Sequence, residues 1–594
     1  MNKNIKSKLE LLRSEMKAEG LSAWLINGAD PHLSEDAPDR WLTRKFIANF
    51  SGSYGWLAIT HNEAVLWTDS RYYLQAENEL ADTGIEMLKA RLPETIPVEI
   101  WVSERLKQGD RVGFDGTCYA TAEVLRFREA FIQAGISLQV DTDLLDRIWT
   151  DRPGFPVAKA FDYPIEWAGW DRREKISRIS HEVEKTGAGF TVVSALDDLC
   201  WTFNIRGNDI AYNPVVMGFG LIGKNRAQLF VDPQKMDPQL REELKTDGVE
   251  IKPYSDFYPS LEKISGETIL LDPDRSNFRV YDALEKCNKV VFGLSISALL
   301  KSRKNDSEIR GMKKAQVMDG LALLDFQLWL EATLGKEPIT EYDVSLKLAE
   351  FRSKRHGFRG ESFPPIVGYK DHGAIVHLRM QRDIAYALKK EGALLFDSGG
   401  QYEFGTTDIT RTLALGPVSP QLKTDFTLAL KGMIALSKIR FPRGTLGCHL
   451  DVLARKAMWE NGITYGHGTG HGVGAFLNVH EGPMSIRLDR NDQTICPGNI
   501  LSNEPGIYRT GEYGVRTENM MLCVEDISNE FGDFLRFETL TRYPIDTRLI
   551  DRNLLESSEI EWINTFHQSV LTALSPYTSS EEFKLLRRLT APID

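Results

Sequence analysis

A run that sustains neither helix nor central strand, Asp151-Arg-Pro-Gly-Phe-Pro with Pro164 shortly after it, separates two passages in which the same order of elements recurs. Before the break, an amphipathic pattern from Lys8 to Lys17 leads into the apolar run Leu21 to Ile26, a helix followed by a strand. Trp56 to Thr60 and Ala64 to Thr68 then flank His61-Asn-Glu, which predicts a hairpin, and Arg71 to Leu80 reads as helix. After the break, Arg173 to Lys185 is again helical, Thr191 to Ala195 is a strand, and Val215 to Val231 holds another hairpin-like pair. A charged stretch, Lys301-Ser-Arg-Lys-Asn-Asp-Ser-Glu, precedes a long helical pattern from Ile309 to Glu331, with Asp306 or Ser307 as its cap. At roughly 100–200 residues per domain, a chain of this length needs about three to five units. The breaks divide it into residues 1–155, 156–304 and 305–594, the first two being related mixed α/β units. The expected class is α/β (α+β).

Several functions are excluded early. The 72 Lys+Arg against 84 Asp+Glu leave a net charge of −12 and no local basic patch, which disfavours nucleic acid. No stretch approaches the roughly 20 apolar residues that span a bilayer, and the charged start, Met1 to Arg13, has no apolar signal region. Six cysteines, scattered without C-x-x-C spacing, read as buried thiols of a reducing compartment, so a cytoplasmic location is expected. Gly218-Phe-Gly220-Leu-Ile-Gly223 matches the dinucleotide-binding string, but Lys224-Asn-Arg-Ala-Gln turns into another strand rather than the helix that a pyrophosphate requires. It reads as a hairpin glycine cluster. Neither a G-x-S-x-G elbow nor a phosphate-loop lysine motif is present.

The chemistry gathers instead in the third unit. Six of the eleven histidines, His372, His377, His449, His467, His471 and His480, fall within residues 372–480. Leu394-Leu-Phe-Asp397 ends an apolar strand on an acid, and Gly405-Thr-Thr-Asp408 supplies a second that a neighbouring strand could bring beside it. A buried carboxylate is costly unless a cation compensates it. Gly466-His467-Gly-Thr-Gly-His471-Gly-Val-Gly is glycine-rich enough to bring backbone close to a ligand and aim imidazoles inward. Glu504 and Glu518 each sit beside strand-like apolar residues. Four carboxylates and one imidazole form a hard, oxygen-dominated set suited to manganese, with cobalt or zinc as competitors, and their mutual repulsion calls for two divalent ions.

At these residues the chain resembles the aminopeptidase P family. The motifs are Asp397-Ser-Gly-Gly-Gln-Tyr, Asp408-Ile-Thr-Arg-Thr, the His467/His471 glycine tract, Asn478-Val-His480-Glu-Gly-Pro, Ser502-Asn-Glu504-Pro-Gly and Arg516-Thr-Glu518-Asn. Trp67-Thr-Asp-Ser-Arg-Tyr-Tyr and Asn204-Ile-Arg-Gly-Asn-Asp extend the resemblance to the first two units and to the long, three-domain form. The resemblance implies two creatinase-like N-terminal domains and a pita-bread catalytic domain with a C-terminal extension. It implies that Asp397 binds one ion, His471 and Glu504 the other, and that Asp408 and Glu518 bridge both. It further implies that His377, His467 and His480 line the substrate site beside Tyr508 and Arg516, with His377, His480 and Glu504 catalytic, and that the protein is a homodimer.

The expected reaction releases the first residue of a peptide whose second residue is proline. A hydroxide bridging the two ions attacks the carbonyl carbon, His480 steadies the oxyanion, and Glu504 shuttles the proton. Two alternatives are weighed: a prolidase restricted to Xaa-Pro dipeptides, and a non-catalytic pita-bread protein that binds peptides. The second is disfavoured because all five ligands are present.

Overall fold

The computed structural model describes residues 2–594, with side chains described from Asn4 onward. They form two compact units, the first comprising residues 1–164, 170–211 and 215–299, the second residues 165–169, 212–214 and 300–594.

The first unit contains the recurrence that the sequence announces. One six-stranded sheet runs Glu86–Lys89, Ala64–Thr68, Trp56–Thr60, Ala23–Ile26, Arg111–Gly113, Ser137–Gln139. The other runs Glu250–Lys252, Arg226–Val231, Gly218–Gly223, Phe190–Val193, Thr268–Leu271, Lys289–Phe292. The pairings correspond strand for strand. In both sheets the three inner strands of the first half are antiparallel, and the outer strand and both strands of the second half join in parallel. Each is preceded by an amphipathic helix, Asn2–Ala18 or Arg172–Lys185. In the first helix Ile5, Leu9, Leu12 and Met16 recur at helical spacing and pack with Trp24, Ile26, Leu57 and Ile59. The glycine string at 218–223 is a strand in register with Arg226–Val231, as its hairpin reading requires.

The second unit opens on the helix Asp306–Thr333. Its cap is Asn305, not the expected Asp306 or Ser307. The Asn305 side chain accepts from Ser307 N and Glu308 N, and Glu308 returns a bond to Asn305 N at 2.9 Å. This helix and those at Glu341–Ser353, Pro420–Lys438 and Ser557–Leu574 bury Phe326, Leu330, Val344, Phe426, Ile434 and Phe566 in one core with Leu394 and Phe396 of the strand that ends on Asp397. A six-stranded sheet runs Arg440–Pro442, Gly532–Thr539, Asn519–Asn529, Ile500–Asn503, Gly470–Gly472, Glu481–Ile486. A two-stranded hairpin, Gly506–Arg509 with Tyr513–Arg516, connects two of its interior strands, Ile500–Asn503 and Asn519–Asn529.

Among the described residues no helix is long and apolar enough to cross a membrane. All six cysteines are free, but only Cys118, Cys200 and Cys523 are buried; Cys287 is exposed and Cys448 and Cys496 are intermediate. The expectation of uniformly buried thiols is therefore corrected: without cross-linking or metal binding, nothing draws the other three inward.

Candidate metal centre

Antiparallel pairing brings the two aspartates together. Ala393–Ser398 pairs with Ile409–Ala414 so that Asp397 lies opposite Thr410, on one face of the sheet. The chain between the strands runs on as the short pair Gly400–Tyr402 with Gly405–Thr406 and reverses at residues 403–404; its two arms lie so close that a Cβ at Gly399 would come 1.9 Å from the Thr407 carbonyl oxygen. Thr410 Oγ1 donates to Glu518 Oε2 at 2.9 Å, adding the second glutamate to that face.

The histidine arrives from the other sheet. Gly470–Gly472 is wedged between Glu481–Ile486 and Ile500–Asn503, and a Cβ at Gly470 would stand 2.1 Å from Ser502 O. Glycine beside His471 is thus a packing requirement as well as a loop signal. His471 Nδ1 lies 2.9 Å from Gly472 O and donates to it, so Nε2 is the nitrogen turned toward the acids, the orientation of a metal ligand. That Nε2 is 3.5 Å from Asp408 Oδ2 and 3.6 Å from Glu504 Oε1. Ser502 Oγ accepts from His471 N at 3.0 Å and donates to Glu504 Oε1 at 3.4 Å. Ligand atoms of Asp408, His471 and Glu518 all lie within 4.8 Å of one another.

Four carboxylates so placed disturb each other. Burial, opposed by Arg516 and reinforced by Asp408, pushes Asp397 up to about 6. Burial, opposed by His471 and Arg516 and reinforced by Asp408 and Asp397, pushes Glu504 up to about 7. Glu518 is raised well above its ordinary value by burial and by all three other acids. Asp397 Oδ2 accepts from Arg516 Nη2 at 2.7 Å, whereas its buried Oδ1 has no hydrogen-bond partner among the described residues. An orphaned carboxylate oxygen, an imidazole whose Nε2 faces the acids and mutually repelling carboxylates are what a site for divalent cations needs. The residues fit two such ions.

Around this cluster the structure arranges the other expected residues. Arg516, fully buried, also donates to Thr410 Oγ1 at 3.1 Å and to Tyr508 OH at 2.7 Å. Tyr508 OH is 2.8 Å from His467 Nε2, so a continuous chain runs Asp397, Arg516, Tyr508, His467. His480 is exposed, its ring centroid 4.3 Å from that of His471 and nearly perpendicular to it. His377 lies half-buried just after the 3-10 turn Lys370–Ala374.

Sequence reasoning missed Thr410 and Ser502, the hydroxyls that orient Glu518 and Glu504. It quoted Arg411 only within a motif. That buried guanidinium donates to Asn519 Oδ1 at 2.8 Å, Tyr543 O at 2.7 Å and Pro544 O at 2.9 Å, and to the Glu518 carbonyl. No pattern marks a single threonine or serine as a ligand orienter.

Comparison with known proteins gives concordant results. The model of metallopeptidase family M24 matches residues 310–525, and that of the C-terminal region of the M24 peptidases matches 533–593. Two models of the creatinase/prolidase N-terminal domain match 8–148 and 151–308. A probable Xaa-Pro aminopeptidase P of Paracoccidioides brasiliensis is 37% identical over 611 residues, 99% of either chain. Aminopeptidase P2 of Arabidopsis thaliana is 35% identical, covering 94% of this chain and 84% of that one. The crystal structure of X-prolyl aminopeptidase from Caenorhabditis elegans, described as a cytosolic enzyme with a di-nuclear active site, superposes with a TM-score of 0.95 at 31% identity over 100% of both chains.

Proposed function

Since the chain belongs to the aminopeptidase P family of M24 metallopeptidases, and is a metal-dependent aminopeptidase, we propose that it removes the first residue from peptides with proline in second position. The observation that carries this reading is the meeting of Asp408, His471 and Glu518 within 4.8 Å of one another, with Glu504 Oε1 3.6 Å from His471 Nε2 and with Asp397 in electrostatic contact with Asp408 and Glu504. Asp397 would hold one ion, His471 and Glu504 the other, with Asp408 and Glu518 shared between them. Two divalent ions, manganese before cobalt or zinc, would polarise the scissile carbonyl and acidify the attacking water.

The chain's own residues do the rest. Glu504, 3.6 Å from His471 Nε2 and steadied by Ser502 Oγ, accepts a proton from the attacking water and returns it to the departing proline nitrogen. His480, beside His471, donates to the developing oxyanion. His377 and His467 line the peptide's path. Arg516 holds Asp397 and Tyr508 in place, and Tyr508 in turn holds His467.

Full-length likeness to an X-prolyl aminopeptidase supports a substrate longer than a dipeptide. The cytosolic description of the worm enzyme supports a cytoplasmic location, and the family supports a homodimer. The family-model limits near residues 150 and 308 support the division into 1–155, 156–304 and 305–594. Chelated protein resupplied with manganese, cobalt or zinc and assayed on matched Xaa-Pro and Xaa-Pro-Xaa peptides tests the reading. Release of the first residue from the tripeptide is expected. Cleavage of dipeptides alone would make it a prolidase, and peptide binding without turnover a binding protein.

A further inference from the structure

We infer that Asp425, on the helix Pro420–Lys438, is a positioning residue for this reaction, clamping the hairpin that carries Tyr508 and Arg516 into the metal centre. The inference rests on the aminopeptidase reading only for its kinetic consequence.

The hairpin is too small to hold itself. Its strands, Gly506–Arg509 and Tyr513–Arg516, have four residues each, and an isolated two-stranded hairpin is marginal in water. At its base, Arg516 is tied to Asp397 and Thr410. At its tip, Thr510 to Glu512 are exposed, and the last paired residues are Arg509 and Tyr513. Both reach the same carboxylate. Arg509 Nε donates to Asp425 Oδ2 at 2.6 Å and Nη2 to Oδ1 at 2.9 Å, a bidentate fork. Tyr513 OH donates to Oδ2 at 2.8 Å, and Gln421 Nε2, one turn earlier on the helix, to Oδ1 at 2.9 Å. The Asp425 side chain is fully buried, and each oxygen accepts two bonds. Such a carboxylate does not wander, because any displacement leaves a desolvated charge with fewer partners.

Alternation along the strand converts this anchor into catalytic geometry. Arg509 faces the helix, so its neighbour Tyr508 faces away, toward Arg516 and His467. On the partner strand Gly514 is pressed against the turn Lys370–Ala374: a Cβ there would stand 1.7 Å from Gly373 O. That turn leads directly to His377. One carboxylate, touching no ligand, thereby sets the hairpin from which Asp397, His467 and the His377 segment all take their support.

The test compares wild type with Asp425→Asn and Tyr513→Phe. Four readings are taken: kcat and KM on an Xaa-Pro-Xaa peptide, affinity of the chelated protein for manganese(II) alone, hydrogen exchange of residues 506–516, and global unfolding. Outer-shell supports of metal sites are worth about ten- to a hundredfold in affinity or activity. Asp425→Asn is expected to lower kcat and manganese affinity within that range, with KM moving less than about threefold. Exchange should quicken in the hairpin more than elsewhere. Tyr513→Phe should shift the same readings less. Should Asp425→Asn fail to fold, Tyr513→Phe, which removes one hydroxyl and no charge, decides alone. A folded variant with kcat, affinity and hairpin exchange all within about twofold of wild type overturns the inference. So does a general loss of stability in which the hairpin is not singled out. If wild type cleaves no Xaa-Pro bond, the functional reading falls, while manganese affinity and exchange still decide the clamp.

Discussion

Buried acids are treated in opposite ways at two places, one in each unit. In the first, Asp209 is paired with Lys235, both side chains all but inaccessible, and Asp197 and Asp198 share Arg275 at 3.0 and 3.2 Å. Each group of acids has its own cation, and the result is architecture. In the second, Asp397, Asp408, Glu504 and Glu518 gather around Arg516 and the imidazole of His471, with Arg411 turned to the Glu518 backbone, so that acids outnumber cations. The shortfall raises the proton affinities of Asp397, Glu504 and Glu518. A deficit of protein cations inside a rigid frame is the physical form of a metal site, whereas an acid with its own buried cation needs no other.

That contrast can be broken in several ways. Glu504→Ala should lower kcat by about 10²–10⁴ while leaving the metal-free protein as stable as before or more so, because it removes one of four repelling acids; steady-state kinetics and denaturant titration read both. Asp209→Ala should do the reverse, costing about 3–5 kcal/mol of stability by leaving Lys235 buried and unpaired, with kcat per folded molecule unchanged. Equal destabilisation by the two substitutions would erase the distinction.

Acidity sharpens it further. Asp397, Glu504 and Glu518 bind protons more tightly folded than unfolded, so their contribution to metal-free stability is full below the ordinary carboxylate range and is lost as pH rises through about 6 for Asp397 and about 7 for Glu504, with Glu518 losing its share in the same direction. Chelated protein should melt lower at pH 8 than at pH 5 by calorimetry, and saturating manganese(II) should remove most of that loss. A melting temperature independent of metal at pH 8 would count against the deficit. The smallest effect is expected at the outer chain: Tyr508→Phe deletes the hydroxyl between Arg516 and His467 and should cost tenfold or less in kcat/KM, about 0.5–1.5 kcal/mol.

Much of this was visible before any coordinates. The hairpin Trp56–Thr60 with Ala64–Thr68 matches its expected bounds, and Arg173 to Lys185 differs from the observed helix by one residue, since alternating and helical apolar patterns are local signals. The cap is not legible from sequence because Asn305, Asp306 and Ser307 can all cap, and only the extended backbone at Asn305 selects among them. The metal-type residues were legible by kind, and their individual roles came by resemblance rather than from spacing.

What no local pattern carries is which distant groups meet. Asp425 and Arg509 are 84 residues apart and Arg516 and Asp397 119, and neither pairing leaves a trace in sequence periodicity. Glycine richness around His471 suggested a ligand loop; the close approach of Ser502 O to Gly470 adds that the glycines let a strand slot into a sheet. Element types, the internal repeat and the inventory of acids and imidazoles follow from the order of residues, because propensity and amphipathicity act over a few positions. Which acids go without a cation, and which hydroxyls and guanidinium aim them, is settled only when sheet register and packing close long loops around one point.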